Sequence, residues 1–316
     1  MIETQPITAA GVPIGVEVRG LTAKNVGDDA VRKQLLEYWI DRGLMLFRGV
    51  EGPEMQIAIS NLVGECVSHP GKPMDEDKKH PELVNISYNR EGGDVYEVDG
   101  VELGAWLPWH SDLIYVDAIN HGGVLRPIKL PSTGGATGFI DKITLYETLD
   151  PALRDQLEDK WVLYKWDLDI ANQRFGRHKN AKVIQWSENR REMQSRLDQY
   201  PLVAHPAVFV QPETGRKVLN VSPWFALGIE GMEGEEGDEL LRAVVRHCTN
   251  ERYAYYHSYK PDDMVLWDNW RMLHCGAGIP ADDSRHMCRT TIAGDYNLGR
   301  LADKDTVIDD RLRISV

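Results

Sequence analysis

Beyond Tyr200 the chain is written in short apolar runs set apart by turn residues: 207–210, a turn over 212–215, then 218–221, with 264–267 and 288–292 further on. Runs this short are strands rather than helices, and they recur without the regular strand and helix alternation that a doubly wound sheet needs. They predict a mainly β chain with flanking helices, folded as an antiparallel sandwich or barrel. Upstream, Val31, Leu35, Leu36 and Trp39 fall at helical spacing, so 28–42 reads as a helix that stops at Gly43 and leads into a buried strand over 44–47. A short strand is expected at 83–87 and a mobile loop, rich in Gly, Asp and Glu, between Arg90 and Gly104. Leu145, Leu149, Leu153 and Leu157 recur every four residues, with Pro151 breaking the pattern early, so 145–157 reads as a helix-rich crossover. The charged stretch 172–196 reads as a solvated helical excursion, and 238–248 as a further helix. No Ser/Gly-rich or Pro-rich linker divides two cores, which predicts a single domain over 1–316.

Composition removes several functions. Thirty-six Lys plus Arg against 49 Asp plus Glu give a net charge of −13, which repels phosphate backbones and anionic bilayers, so neither nucleic acid nor membrane is an expected partner. Cys66, Cys248, Cys275 and Cys288 form no C-x-x-C pair, so a zinc ribbon or thioredoxin-type site has no support and a reducing cytoplasm is the expected setting. The first 20 residues show neither a basic nor a continuous apolar segment of a secretory leader, and nowhere do 18 apolar residues run together.

There is no H-E-x-x-H, G-x-S-x-G, Walker A or G-x-G-x-x-G motif, which leaves histidine and carboxylate to carry chemistry. The pattern His-x-Asp/Glu occurs twice. His80-Pro81-Glu82 lies in a charge run and reads as an exposed loop. His110-Ser111-Asp112 sits between Trp106-Leu107-Pro108-Trp109 and Leu113-Ile114-Tyr115-Val116, the setting of a strand rim, where residues two apart share a face. His274, beyond the 264–267 run, offers a third ligand. Two imidazoles and one carboxylate on one octahedral face suit non-haem Fe(II), with three positions left for cosubstrate and dioxygen. Taken singly, the H-x-D pair could be structural and His274 a packed or capping histidine. Arg285 and Arg289, four apart on one strand, tip the balance: two guanidiniums beside such a triad form a cationic pocket for a dicarboxylate and an anionic substrate. Their rival reading is a pair of surface arginines on an edge strand.

These residues, with 130–137 (Leu-Pro-Ser-Thr-Gly-Gly-Ala-Thr), Tyr146-Glu147, Leu266-Trp267-Asp268-Asn269 and Ile292-Ala293-Gly294-Asp295, resemble the taurine dioxygenase and 2,4-dichlorophenoxyacetate dioxygenase family over most of the chain. The resemblance implies a double-stranded β-helix, a jelly-roll and cupin-like core, and an enzyme dependent on Fe(II), 2-oxoglutarate and O2 that releases succinate and CO2. It implies that His110, Asp112 and His274 hold iron, that Arg285 pairs with the distal carboxylate of 2-oxoglutarate, and that Thr137 hydrogen-bonds to it. Arg289 matches the position that meets the substrate's anionic group and stands near the cosubstrate's first carboxylate. His69 matches the family's substrate histidine. It also implies a homo-oligomer, dimer or tetramer.

Departures from the taurine enzyme bear on substrate. Trp106 stands where that enzyme has a polar residue, Trp224 and Phe225 fall where the family places an aromatic wall, and Tyr115 can add another ring. Core packing is the rival reading for each. The stretch 71–104 is longer than a taurine-sized lid needs and reads as an active-site cover. Hydroxylation of an apolar or aromatic small-molecule carboxylate is the expected reaction, with cleavage following where the carbon bears a heteroatom. Desaturation, epimerisation or cyclisation on the same cofactors is the alternative, ahead of a zinc-type hydrolase or a non-catalytic cupin-like binding module.

Overall fold

The computed structural model describes residues 2–67 and 79–302. Two sheets face one another across an apolar layer. In the larger, neighbouring strands run Glu3–Ala9, Val12–Arg19, Leu44–Arg48, Asp263–Asp268, Gly122–Lys129, Arg285–Arg289 and Val84–Tyr88. In the second the order is Ala181–Gln185, Val95–Val98, Val101–His110, Met272–Pro280, Thr137–Asp141 and Tyr255–His257. Among the described residues the pairings are antiparallel except that of Val12–Arg19 with Leu44–Arg48, which the helix Asp29–Arg42 connects as a crossover.

The 44–47 run is continuously apolar because its strand is covered on both faces. Leu44 and Leu46 pack with Phe139, Trp267 and Met272 between the sheets, whereas Met45 and Phe47 pack with Leu35 and Trp39 of the helix outside. That helix ends at Gly43, at φ +70° with its N–H donated to the Trp39 carbonyl. A Cβ there would lie 2.7 Å from Arg271 Cδ, so the sharp turn into the strand needs glycine on two counts.

The chain departs from the sequence reading in two places. The loop expected between Arg90 and Gly104 is largely a hairpin: Val95–Val98 pairs with Val101–His110 through Asp99 and Gly100 at φ +51° and +81°. Asp-Gly is a strong two-residue hairpin signal that the surrounding acidic composition obscured. The described part of the expected cover over 71–104 is therefore half strand, and 71–78 lie outside the described residues. The excursion at 172–196 is not merely a solvated helix. Its strand Ala181–Gln185 extends the second sheet beside Val95–Val98, and its helix Glu188–Gln194 buries Arg190, whose Nε lies 2.7 Å from Asp94 Oδ2 and whose Nη1 donates to the Leu168 carbonyl. The helix-rich crossover expected at 145–157, with its break at Pro151, is present as two helices, Lys142–Thr148 and Pro151–Leu157, begun by Asp141 and Asp150, which cap Ile143 N–H and Ala152 N–H.

The helix expected at 238–248 spans Glu235–Cys248, and the expected hairpin pairs Val208–Val210 with Lys217–Leu219. With the two short helices they enclose the largest core cluster, beside a small sheet of Ala226–Ile229, Trp161–Tyr164, Val203–Pro206 and Arg300–Leu301. Among the described residues no helix is long and apolar enough to cross a membrane.

Candidate active site

His110 ends the strand Val101–His110, and His274 lies directly across from it on Met272–Pro280, so strand register brings the two rings to 4.3 Å between centroids. Asp112 arrives differently from the strand alternation expected. It sits in a turn just past the strand, followed by Leu113 at φ +55°. Asn269 pins that turn: its Oδ1 accepts the Asp112 N–H at 2.7 Å, and its Nδ2 donates to the Asp112 carbonyl at 2.9 Å. A left-handed leucine persists where surrounding bonds over-determine it. Asp112 Oδ1 lies 3.7 Å from His110 Nε2, and Oδ2 lies 3.3 Å from His274 Nε2. All three side chains are buried, with candidate ligand atoms within 4.8 Å of one another.

The donor set fits a divalent metal. His110 Nδ1 is 2.8 Å from the Pro108 carbonyl, which makes it the N–H donor and leaves Nε2 its lone pair facing inward. Burial pushes the His274 imidazole down to about 4, against the pull of Asp112, so the ring is neutral and able to ligate near pH 7. Burial alone would raise the Asp112 carboxyl, but Arg289 and the two imidazoles outweigh it and hold it well below the usual carboxylate range. Arg289 Nη2 lies 2.8 Å from Asp112 Oδ2 without hydrogen-bond geometry, leaving both atoms short of an aligned partner.

Arg285 is the sharper case. Its Nε and Nη2 are buried with no hydrogen-bond partner, no carboxylate pairs with it among the described residues, and its guanidinium lies over the neutral ring of Tyr259 at 5.9 Å. Burial lowers its pKa. A guanidinium desolvated this way is costly unless an anion meets it. Thr137 Oγ1, 3.2 Å from Tyr259 Oη, lines the same chamber of about 110 Å³ as Arg285, Arg289 and the triad. The arginines thus face the site and not solvent.

A second chamber of about 390 Å³ opens onto His110, Asp112 and Arg285. Trp106, Tyr115, Trp224 and Phe225, all expected at the substrate, line it. Trp224 meets His110 edge-on at 5.4 Å and stacks on Phe225 at 4.3 Å, and Tyr115 packs against both Phe225 and Trp166. Trp106 leans on Tyr96 at 5.3 Å. His69 lies outside the described residues. Trp166, Met193 and Arg190 also line this chamber and were not anticipated. Asn269 was noticed only as part of a motif. Its partner Asp112 is 157 residues away, and nothing local announces the contact.

Residues 3–291 match the family described as taurine catabolism dioxygenase TauD, TfdA family. The chain is 29% identical to an (S)-phenoxypropionate/alpha-ketoglutarate-dioxygenase of Sphingobium herbicidovorans, over 89% of this chain and 92% of that one. It is 26% identical to pentalenolactone F synthase of Streptomyces arenae, over 90% and 93% of the two chains. A taurine dioxygenase structure from Burkholderia xenovorans superposes with a TM-score of 0.70 at 21% identity, covering 96% of each chain, and shares the mainly β, cupin-like fold. The chain belongs to the TauD/TfdA family and is a non-haem iron dioxygenase that depends on Fe(II), 2-oxoglutarate and O2.

Proposed function

We propose that His110, Asp112 and His274 hold the iron, that Arg285 with Thr137 receives the distal carboxylate of 2-oxoglutarate, and that the enzyme hydroxylates an apolar or aromatic small-molecule carboxylate in the aromatic chamber. The observation that carries this reading is the pairing of an uncompensated Arg285 guanidinium with a triad whose ligand atoms face one another in the same chamber. Bound iron with 2-oxoglutarate and O2 supplies an oxidant able to break an unactivated C–H bond, with succinate and CO2 released.

The protein's part is placement. Pro108 orients the His110 ring, Asn269 orients the Asp112 turn, and strand pairing orients His274. Arg285 offers two buried N–H groups to a carboxylate, a charge-assisted contact that aligns a diacid as well as binding it. Arg289, beside Asp112, is the cation nearest the metal ligands and suits the substrate's acid group or the cosubstrate's near carboxylate. Tyr115, Trp224 and Phe225 hold the apolar body of the substrate and exclude water from the reacting carbon. His69 and Trp106 belong to the same substrate reading. A single domain over 1–316, a homo-oligomer and a cytoplasmic setting are separate parts of the proposal.

Two relatives named for phenoxypropionate and 2,4-dichlorophenoxyacetate support an aromatic acid. Similarity to pentalenolactone F synthase favours a second reading, desaturation, epimerisation or cyclisation of a natural-product intermediate on the same cofactors. The test is succinate release across a panel of aryloxyalkanoates, N-acyl amino acids and polycyclic acids, with the turnover seen without substrate subtracted and products identified by mass. Turnover of taurine in preference to every aromatic or apolar acid would reject the substrate class. His110→Ala is expected to abolish succinate formation.

A further inference from the structure

Lys142, the first residue of the helix Lys142–Thr148, is 0% exposed. Its Nζ lies 3.2 Å from Ser111 Oγ and 3.1 Å from Asn220 Oδ1, and it forms no ion pair among the described residues. The neighbouring Asp141 is already taken by Arg271, at 2.8 and 3.0 Å. Burial lowers the Lys142 ammonium to about 7, against the more distant pull of Asp268, Cys248 and Asp141. A lysine held this way costs stability that a methionine of similar length would not, so packing alone does not account for it.

What Lys142 does touch is informative. Ser111 is the residue between His110 and Asp112. Its N–H donates to Ser222 Oγ at 3.1 Å, and Ser222 Oγ donates to the Trp224 carbonyl at 3.2 Å. Asn220 Nδ2 in turn donates to the Pro206 carbonyl at 3.1 Å. One buried polar chain therefore runs from the helix start, through the residue between the two candidate ligands at the junction of strand and turn, to the backbone of the aromatic wall.

We infer that Lys142 is a positioning residue, which through Ser111 sets the junction of strand and turn between His110 and Asp112 and through Ser222 the Trp224 end of the chamber. The inference rests on the metal assignment proposed above. The experiment titrates Mn(II) into the metal-free full-length protein, followed by electron paramagnetic resonance, with thermal unfolding of the same samples alongside. Lys142→Met is expected to weaken Mn(II) binding by about 10- to 100-fold while the midpoint of unfolding stays level or rises. Ser111→Ala, which removes only the hydroxyl, is expected to weaken it in the same direction, and the double variant to be no worse than the weaker single one, because both act on one contact.

Wild-type Mn(II) affinity in Lys142→Met, or a loss that merely tracks unfolded protein, would overturn the inference. If Lys142→Met does not fold, Ser111→Ala decides alone: a folded protein with weakened Mn(II) binding supports the role, and unchanged binding overturns it. Wild-type protein that binds no Mn(II) at all would instead defeat the metal assignment, and the inference with it.

Discussion

The two ends of the cavity are built on opposite terms. At the inner end, His110, His274, Thr137, Arg285 and Arg289 project from paired strands, and several polar atoms there have no aligned partner within the protein. At the outer end, Tyr115, Trp166, Trp224 and Phe225 come from segments between strands and satisfy one another ring on ring, including a near-parallel Trp166 and Phe225 pair at 5.9 Å. The first end is held by register and left electrostatically incomplete. The second is packed ring on ring, with Trp224 Nε1 its one buried donor left without a partner among these four rings, and is shaped by irregular backbone, with Phe225 at φ +73°. An unfinished charge pattern on rigid strands suits small ligands of fixed identity, whereas packed rings on loops suit a substrate that differs between relatives.

The comparison is broken most directly at Arg285. Arg285→Ala should raise the KM for 2-oxoglutarate by about 30-fold or more, the effect of losing some 2 kcal/mol or more of buried charge-assisted bonding. Mn(II) binding should be unchanged. A KM within experimental error of wild type would mean that the inner end is not a carboxylate site.

A smaller effect is expected at the outer end. Trp224→Leu should raise the KM for the best acid by about 10-fold, consistent with losing an aromatic contact and part of its buried area, and should increase succinate released without product. The KM for 2-oxoglutarate should hardly move. Equal changes in both constants would erase the division between the two ends.

The smallest effect sharpens the contrast through pH. His205 lies beside the outer end, fully buried, with Nε2 2.8 Å from the Val116 carbonyl. Burial, aided by the charge of Lys142, lowers it to about 4 from an ordinary value near 6.5. The folded state thus favours the neutral ring. Its contribution is complete above pH 6.5 and is lost progressively as the pH falls toward 4, because the unfolded chain takes up the proton first. Unfolding midpoints measured over that window should fall more steeply for wild type than for His205→Gln. Parallel slopes would show that the folded state does not favour the neutral ring at this position.

How much was legible follows from how local each signal is. The H-x-D pair, His274 and the two arginines stood out because one short segment carries each and their chemistry is distinctive. The fold class was readable from short apolar runs, and even the Asp99-Gly100 hairpin left its mark, though the acidic composition around it read as loop. The stretch 172–196 misled for a related reason. Charge there reads as solvation, yet Arg190 is neutralised by Asp94 across 96 residues and buried in the chamber's lining. Asn269, Trp166 and Lys142 were invisible as site residues, since each acquires its role from a partner distant in the chain.

Residue types and their order determined the kind of fold, the ligand set available to a metal and the cations available to an acid, because hydrophobic period and side-chain chemistry are properties of short segments. Only the folded chain decided that Asp112 reaches His274 from a pinned turn, that Arg285 is stranded without a carboxylate, and that a lysine sits beneath the ligand turn. Those facts depend on which atoms burial brings together and which it leaves without water, and no stretch of sequence contains both halves of such a contact.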